Sequence, residues 1–277
     1  MSLSVFGILL FAAAMHATWN AIVKAAENKQ ALAIGVNAGA ALIAAVALPF
    51  VSQPALPSLP WLAGSCLLQV VYTLLVAKTY QIADMSQTYP VMRGTAPLLV
   101  ALFSALYLED SLPAHAWWGI GIICSAILAM AFNSRHGSST GLLMALLIAC
   151  FIAGYTLLDG VGVRLSGAAA GYALWSFLLN GLTLSLWGAL RLRRSLIIQL
   201  RPHWGKALAG GACTLGSYGL ALWAMTQAPL AIVAALRETS ILFAAIIAIV
   251  ILREKPRLLQ VAAAAGIAAG AMVLRLG

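Results

Sequence analysis

Tyr89-Pro-Val-Met-Arg-Gly-Thr-Ala-Pro-Leu-Leu, residues 89–99, is an apolar stretch with one arginine at its centre, and no further charge follows before Glu109. An ionised side chain this far inside an apolar helix costs about 3 kcal/mol or more unless it pairs or faces water, so Arg93 needs a reason to be there. The arrangement returns at Val233-Ala-Ala-Leu-Arg-Glu-Thr-Ser-Ile-Leu-Phe, residues 233–243. Arg93 falls on Arg237, Thr95 on Thr239 and Asp110 on Glu254, each 144 positions later (237 minus 93). Any two apolar runs align loosely; an arginine shared inside both is the informative part. The chain therefore reads as one unit written twice.

Composition says where such a unit lives. Of the 277 residues 63% are hydrophobic and 8% charged, with a mean hydropathy of +0.98. Soluble domains carry about 25% charged residues, and none of this length hides so much apolar surface from water. The net charge of +9 does not point to nucleic acid, because the Lys and Arg fall in short gaps between apolar runs instead of on one solvated face. Cys66, Cys124, Cys150 and Cys213 all lie in apolar runs without zinc-site spacing, and read as buried, inert thiols.

A membrane-spanning helix needs about 20 mostly apolar residues. Ten such runs are expected, at about 5–23, 31–50, 60–82, 88–108, 113–133, 140–163, 168–190, 204–226, 229–252 and 257–275. The first has a small-residue segment, Ala14 to Ala17, that resembles a signal-peptide cleavage site. No Lys or Arg precedes it, and the apolar pattern continues to Lys24, so it reads as a retained helix. Five runs per copy place the second copy upside down. The expected architecture is an all-α integral membrane protein of two inverted five-helix repeats, 1–134 and 135–277.

Orientation follows from short-loop cations. Lys24, Lys29, Arg135, Arg191, Arg193, Arg194, Arg201, Lys206, Arg253, Lys255 and Arg257 fall on one side, expected to be cytoplasmic, and only Arg164 and Arg275 on the other. Both termini are then non-cytoplasmic, in what reads as a bacterial inner membrane. Trp61, Trp117, Trp118 and Trp204 stand at helix ends as interfacial residues, and Glu109 and Asp110 fall in an outer loop.

The ends of the fourth and ninth runs, Leu108-Glu-Asp and Leu252-Arg-Glu-Lys-Pro, together with Met15-His-Ala-Thr-Trp-Asn and Lys24 in the first, resemble EamA-type members of the drug/metabolite transporter superfamily. The resemblance covers essentially the whole length and rests on diffuse motifs. It implies a ten-helix carrier with a central cavity lined by helices 1, 3, 4, 6, 8 and 9, and cargo drawn from amino acids, nucleotide sugars, amines and other small metabolites.

Arg93, Arg237 and Glu238 lead the candidate substrate-binding residues. Two guanidinium forks facing one midplane cavity would clamp a carboxylate or phosphonate. The competing reading is an internal ion pair of either arginine with Glu238, locking helix 4 to helix 9. Glu238 replaces Gly94 of the first copy, and an unmatched acid is a candidate proton site or cation partner. His16, Trp19 and Asn20 share one face of helix 1, and Tyr155 takes roughly the place of Trp19 in the second copy. Tyr72 shares a face of helix 3 with Gln69 and Thr73, and Trp223 lies with Tyr218 on helix 8. Interhelical packing is the bland alternative for each of these residues. His16 and Asp159 join Glu238 as proton-coupling candidates, although Asp159 and Asp84 read as solvated residues near helix ends. Pro90, Pro97 and Pro229 would let helices 4 and 9 bend. Gly210-Gly-Ala, Gly119-Ile-Gly and Ala262 to Gly266 allow close helix contact, within the chain or across a homodimer.

Without a Walker motif or phosphate loop, no nucleotide or other cofactor is expected, and a metal site is not expected either. The four His fall in separate segments, so an enzyme is not expected. A channel or structural subunit is the alternative class; internal inversion favours a secondary carrier. Two arginines, one acid and several aromatics suit a zwitterion such as an amino acid, with a quaternary ammonium or other organic cation as runner-up.

Overall fold

A computed structural model describes residues 1–108, 112–131, 138–250, 253 and 257–277, apart from the side chains of Arg193 and Arg194. The expected repeat boundary at 134/135 lies outside the described residues. So do Glu109, Asp110, Arg135, His136, Leu252, Glu254, Lys255 and Pro256. The helices are α1 (Leu3–Lys24), α2 (Lys29–Ala47), α3 (Leu59–Ile82), α4 (Met85–Tyr107), α5 (Ala114–Ala131), α6 (Ser139–Ser166), α7 (Ala169–Leu200), α8 (Trp204–Met225), α9 (Leu230–Arg237), α10 (Ser240–Val250) and α11 (Leu258–Leu276). No strand occurs among the described residues. Among the described residues, eight helical stretches are long and apolar enough to cross a membrane, and Ala114–Ala129 is a shorter apolar one.

Polar residues in the gaps start the helices as caps. Ser2 accepts from the amide of Val5, Asn28 from Ala31, Asp84 from Ser86 and Ser138 from Gly141. Asp84 is thus a half-buried cap rather than a freely solvated loop residue. Gly167 ends α6 at φ +60°, a left-handed conformation that suits glycine.

Two expected runs take a different form. The seventh continues past Arg191 to Leu200. The ninth is not one helix: it breaks at Glu238–Thr239 into α9 and α10. There the amides of Glu238 and Thr239 bond back three residues, to the carbonyls of Ala235 (3.0 Å) and Leu236 (3.1 Å), and Ile241 bonds to Glu238 (3.0 Å). The Thr239 hydroxyl also donates to the Leu236 carbonyl, at 2.6 Å. A hydroxyl competing for backbone carbonyls in this way tightens a helix locally, and the break sets two charged residues at its corner. Pro90 and Pro97, by contrast, sit buried inside a continuous α4.

Helix pairing comes in matched sets. α1 packs on α8 as α6 packs on α3, and α4 on α6 as α10 and α9 pack on α1; α2 lies against α7, and α5 against α11. Glycine makes the closest of these contacts possible. A Cβ on Gly211 would lie 2.6 Å from the Ala40 nitrogen, and one on Gly270 would lie 2.8 Å from the Gly119 carbonyl oxygen, so α2 meets α8 and α5 meets α11 backbone to backbone. The small-residue faces singled out in the sequence are thus used within the chain.

Burial is lopsided along three central helices. α1 buries Val5, Leu9, Ala12, Ala13 and Ala17 and nothing beyond. α9 buries every residue from Leu230 to Leu236, whereas α10 buries only Ser240. α3 buries Leu62, Ser65 and Cys66 near its start and, farther on, only Thr79. Cys66 and Cys124 are buried as expected, but Cys150 is exposed and Cys213 half-buried. An apolar run in a membrane helix has a bilayer face as well as a core face, and sequence alone does not separate them. Trp117, Trp118 and Trp204 are exposed at helix ends.

Candidate functional site

The break between α9 and α10 faces the middle of α4, and there the repeated arginines part company. Arg93 reaches across to Glu238, with Nε 2.9 Å from Oε2, and donates from Nη2 to the Ser240 hydroxyl at 3.3 Å. The Arg93 side chain is 13% exposed and that of Glu238 6%, so this is a desolvated pair. Nε and Oε2 have no other partner, so each depends on this contact.

Arg237 is placed differently. Its guanidinium lies over the Tyr218 ring, Cζ 4.6 Å from the centroid, a cation–π contact. Among the described residues it makes neither an ion pair nor a side-chain hydrogen bond. Its planar fork of five N–H donors keeps its capacity for an incoming acceptor. Arg93, Tyr155, Thr156, Ala234, Arg237 and Glu238 line a small cavity of about 20 Å³, closed on one flank by Pro97 and Val100 of α4. That is room for about one water molecule.

Aromatic residues form the surround. Tyr72 meets Tyr155 edge to face at 5.7 Å, Tyr155 meets Tyr218 at 6.5 Å, and Phe177 meets Tyr218 at 6.3 Å. On α1, Trp19 stands edge-on to His16 at 5.4 Å and donates from Nε1 to its Nδ1 at 3.4 Å, which fixes that ring nitrogen as an acceptor. Asn20 donates to the His16 carbonyl at 2.8 Å. His16 lies within electrostatic reach of Arg93 and Arg237, so α1 contributes to the same centre. Trp19 also packs against the cluster of Leu32, Val36 and Ala207. Trp223 packs on the main core and does not line the cavity.

Asp159 overturns one sequence expectation. Although only seven residues from the end of α6, it is 0% exposed rather than solvated. Tyr172 donates to its Oδ1 at 3.1 Å, Gln69 to Oδ2 at 3.2 Å, and the Tyr218 hydroxyl to Oδ2 through a short hydrogen bond. Gln69 also donates to the Ser65 hydroxyl at 2.9 Å. Asn180 extends the network by donating to Gln69 Oε1 at 3.2 Å and to the Ser176 carbonyl at 3.0 Å. α6, α3, α7 and α8 thus meet at one buried carboxyl. The sequence carried a signal for it: Tyr172, Ser176 and Asn180 recur every fourth residue and share a face of α7. Arg164 closes the end of the molecule beyond, donating to the carbonyls of Met225 (2.9 Å) and Ala228 (3.2 Å), where α8 ends.

A solved structure 16% identical in sequence superposes with a TM-score of 0.74, covering 99% of this chain and 98% of its own, which places the fold among known ones. No curated protein matches the chain. Residues 139–276 match the EamA-like transporter family model. By that match the chain belongs to the EamA-like transporters of the drug/metabolite transporter superfamily, a family of integral membrane transporters.

Proposed function

We propose that the protein is a secondary-active carrier of a small zwitterion or carboxylate, best exemplified by an amino acid, working by alternating access. One observation carries this reading: Arg237 holds its guanidinium on the Tyr218 ring, beside the cavity and the buried Arg93–Glu238 pair, with its hydrogen-bonding capacity unused. An arginine in that setting is a docking point for a carboxylate, and a bidentate contact to it is among the stronger hydrogen-bonded pairs. The neighbouring Glu238 and the tyrosine rings would take the ammonium end.

The matched helix pairings support the two halves, 1–134 and 135–277, as inverted copies that exchange partners about an axis in the membrane plane. The lopsided burial supports a conformation sealed at one end of α1, α3 and α9 and parted at the other. By the cation count the parted end faces the cytoplasm of a bacterial cell, and both termini lie outside.

The test is a thermal-shift screen on purified protein with the L-amino acids, simple phosphonates and quaternary amines, comparing wild type with Arg237→Ala. Stabilisation of wild type alone by an amino acid or phosphonate is expected. A quaternary amine stabilising both proteins refutes the carboxylate site and makes this an aromatic cation pocket.

A further inference from the structure

Resting on the carrier reading above, we propose that Asp159 is the proton-binding group of the transport cycle, and that its protonation is linked through Tyr218 to the substrate arginine Arg237. The argument starts from charge. Asp159 is fully buried, and its three partners, Gln69, Tyr172 and Tyr218, are all neutral. Among the described residues no Lys, Arg or His pairs with it. An ionised carboxylate in an apolar interior is sustained either by a counter-charge or by neutral donors, and here only donors are present.

Both protonation states are chemically satisfiable. As a carboxylate, Asp159 accepts from all three groups. As an acid, it takes a proton from water onto one oxygen and donates it to a hydroxyl or amide oxygen of the same partners, which can rotate to accept. The Arg93–Glu238 contact has no such freedom, because removing either charge leaves the other buried.

The link to the substrate site is a single side chain. The Tyr218 hydroxyl is bonded to Asp159 and its ring carries the Arg237 guanidinium. A change of hydrogen bonding at the hydroxyl therefore acts on the seat of the arginine. The groups facing Asp159 are Cys66 and Gln69 from α3, Tyr172 from α7, Tyr218 from α8 and, at longer range, Arg237 from α9, with Tyr155 on its own helix. Arg237 is the one cation in that set, so a substrate carboxylate arriving on it alters the potential at Asp159. The carboxyl lies in the tightly packed half, and water reaches it only when that half parts. Binding and release of the proton thus belong to one side of the membrane at a time.

The experiment is infrared difference spectroscopy against pH on purified full-length protein in lipid nanodiscs, reading the protonated-carboxyl stretch. A titrating band is expected in wild type and in Glu238→Gln, and its loss in Asp159→Asn. Tyr218→Phe and Arg237→Gln, which keep the carboxyl, are expected to move its midpoint; linkage of ordinary size, about five-fold or more in proton affinity, is within reach of the measurement. A band that survives Asp159→Asn refutes the assignment, and a midpoint unmoved in both other variants refutes the link. Should Asp159→Asn not fold, Tyr218→Phe and Arg237→Gln still decide. An intact band with no amino-acid stabilisation in the screen above condemns the substrate reading and spares this one; stabilisation without a titrating band does the reverse.

Discussion

Replacing Arg93 by methionine leaves the Glu238 carboxylate with no partner in a site where its side chain is 6% exposed. At the observed 2.9 Å, and with an effective dielectric constant of about 20, the two charges attract by about 6 kcal/mol. Desolvation offsets part of that in wild type, but a lone survivor keeps its desolvation cost without the attraction. Breaking a buried pair from one side therefore costs about 3–5 kcal/mol. For a chain of this size that is a fall of roughly 6–20 °C in unfolding temperature. The assay is thermal unfolding in detergent of wild type, Arg93→Met, Glu238→Met and the double variant. Each single variant is expected to lose most of that range, and the double variant to recover much of it, because an apolar pair fills the site without a stranded charge. Single variants as stable as wild type, or losses that simply add in the double variant, would refute the description of this contact as a desolvated pair.

Arg237→Ala, which removes only a cation–π contact of about 0.5–2 kcal/mol, is expected to leave the fold intact and abolish transport; loss of the protein from the membrane would contradict this. Gly211→Val is expected to destabilise strongly, since even a Cβ would lie 2.6 Å from the Ala40 nitrogen, and normal expression and melting would show that α2 and α8 do not meet as described. In a cysteine-free background, Asn20→Cys is expected to react with an impermeant maleimide from the cytoplasmic face and Ala13→Cys from neither; the opposite pattern would reverse the orientation of the parted end.

The helices were legible because a bilayer demands long apolar runs, and the same demand made Arg93, Arg237 and Glu238 conspicuous. What the repeat could not tell is how those three divide their work. Identical residues at matched positions acquired different partners because Glu238 breaks the repeat at Gly94, giving one arginine a counter-ion and leaving the other on a tyrosine. The break at Glu238–Thr239 was hidden inside a run of the length one spanning helix needs, and there the Thr239 hydroxyl bonds to the Leu236 carbonyl. The nearness of Asp159 to the end of α6 reads as solvation in the sequence. Its burial depends on tyrosines from α7 and α8, neither of which is local in sequence. Trp223 followed the commoner fate of an aromatic and joined the core.

The partner exchange between α1 and α8 and between α2 and α7 bears on how the chain is made. A ribosome delivers α1 and α2 to the membrane long before the helices against which they finally rest. Until residue 225 has emerged, the glycine-lined face of α2 and the buried face of α1 have only lipid or an insertion factor for company. α1 and α2 are therefore stored rather than packed while α3 to α6 already find one another, and they join the bundle only when α7 and α8 follow.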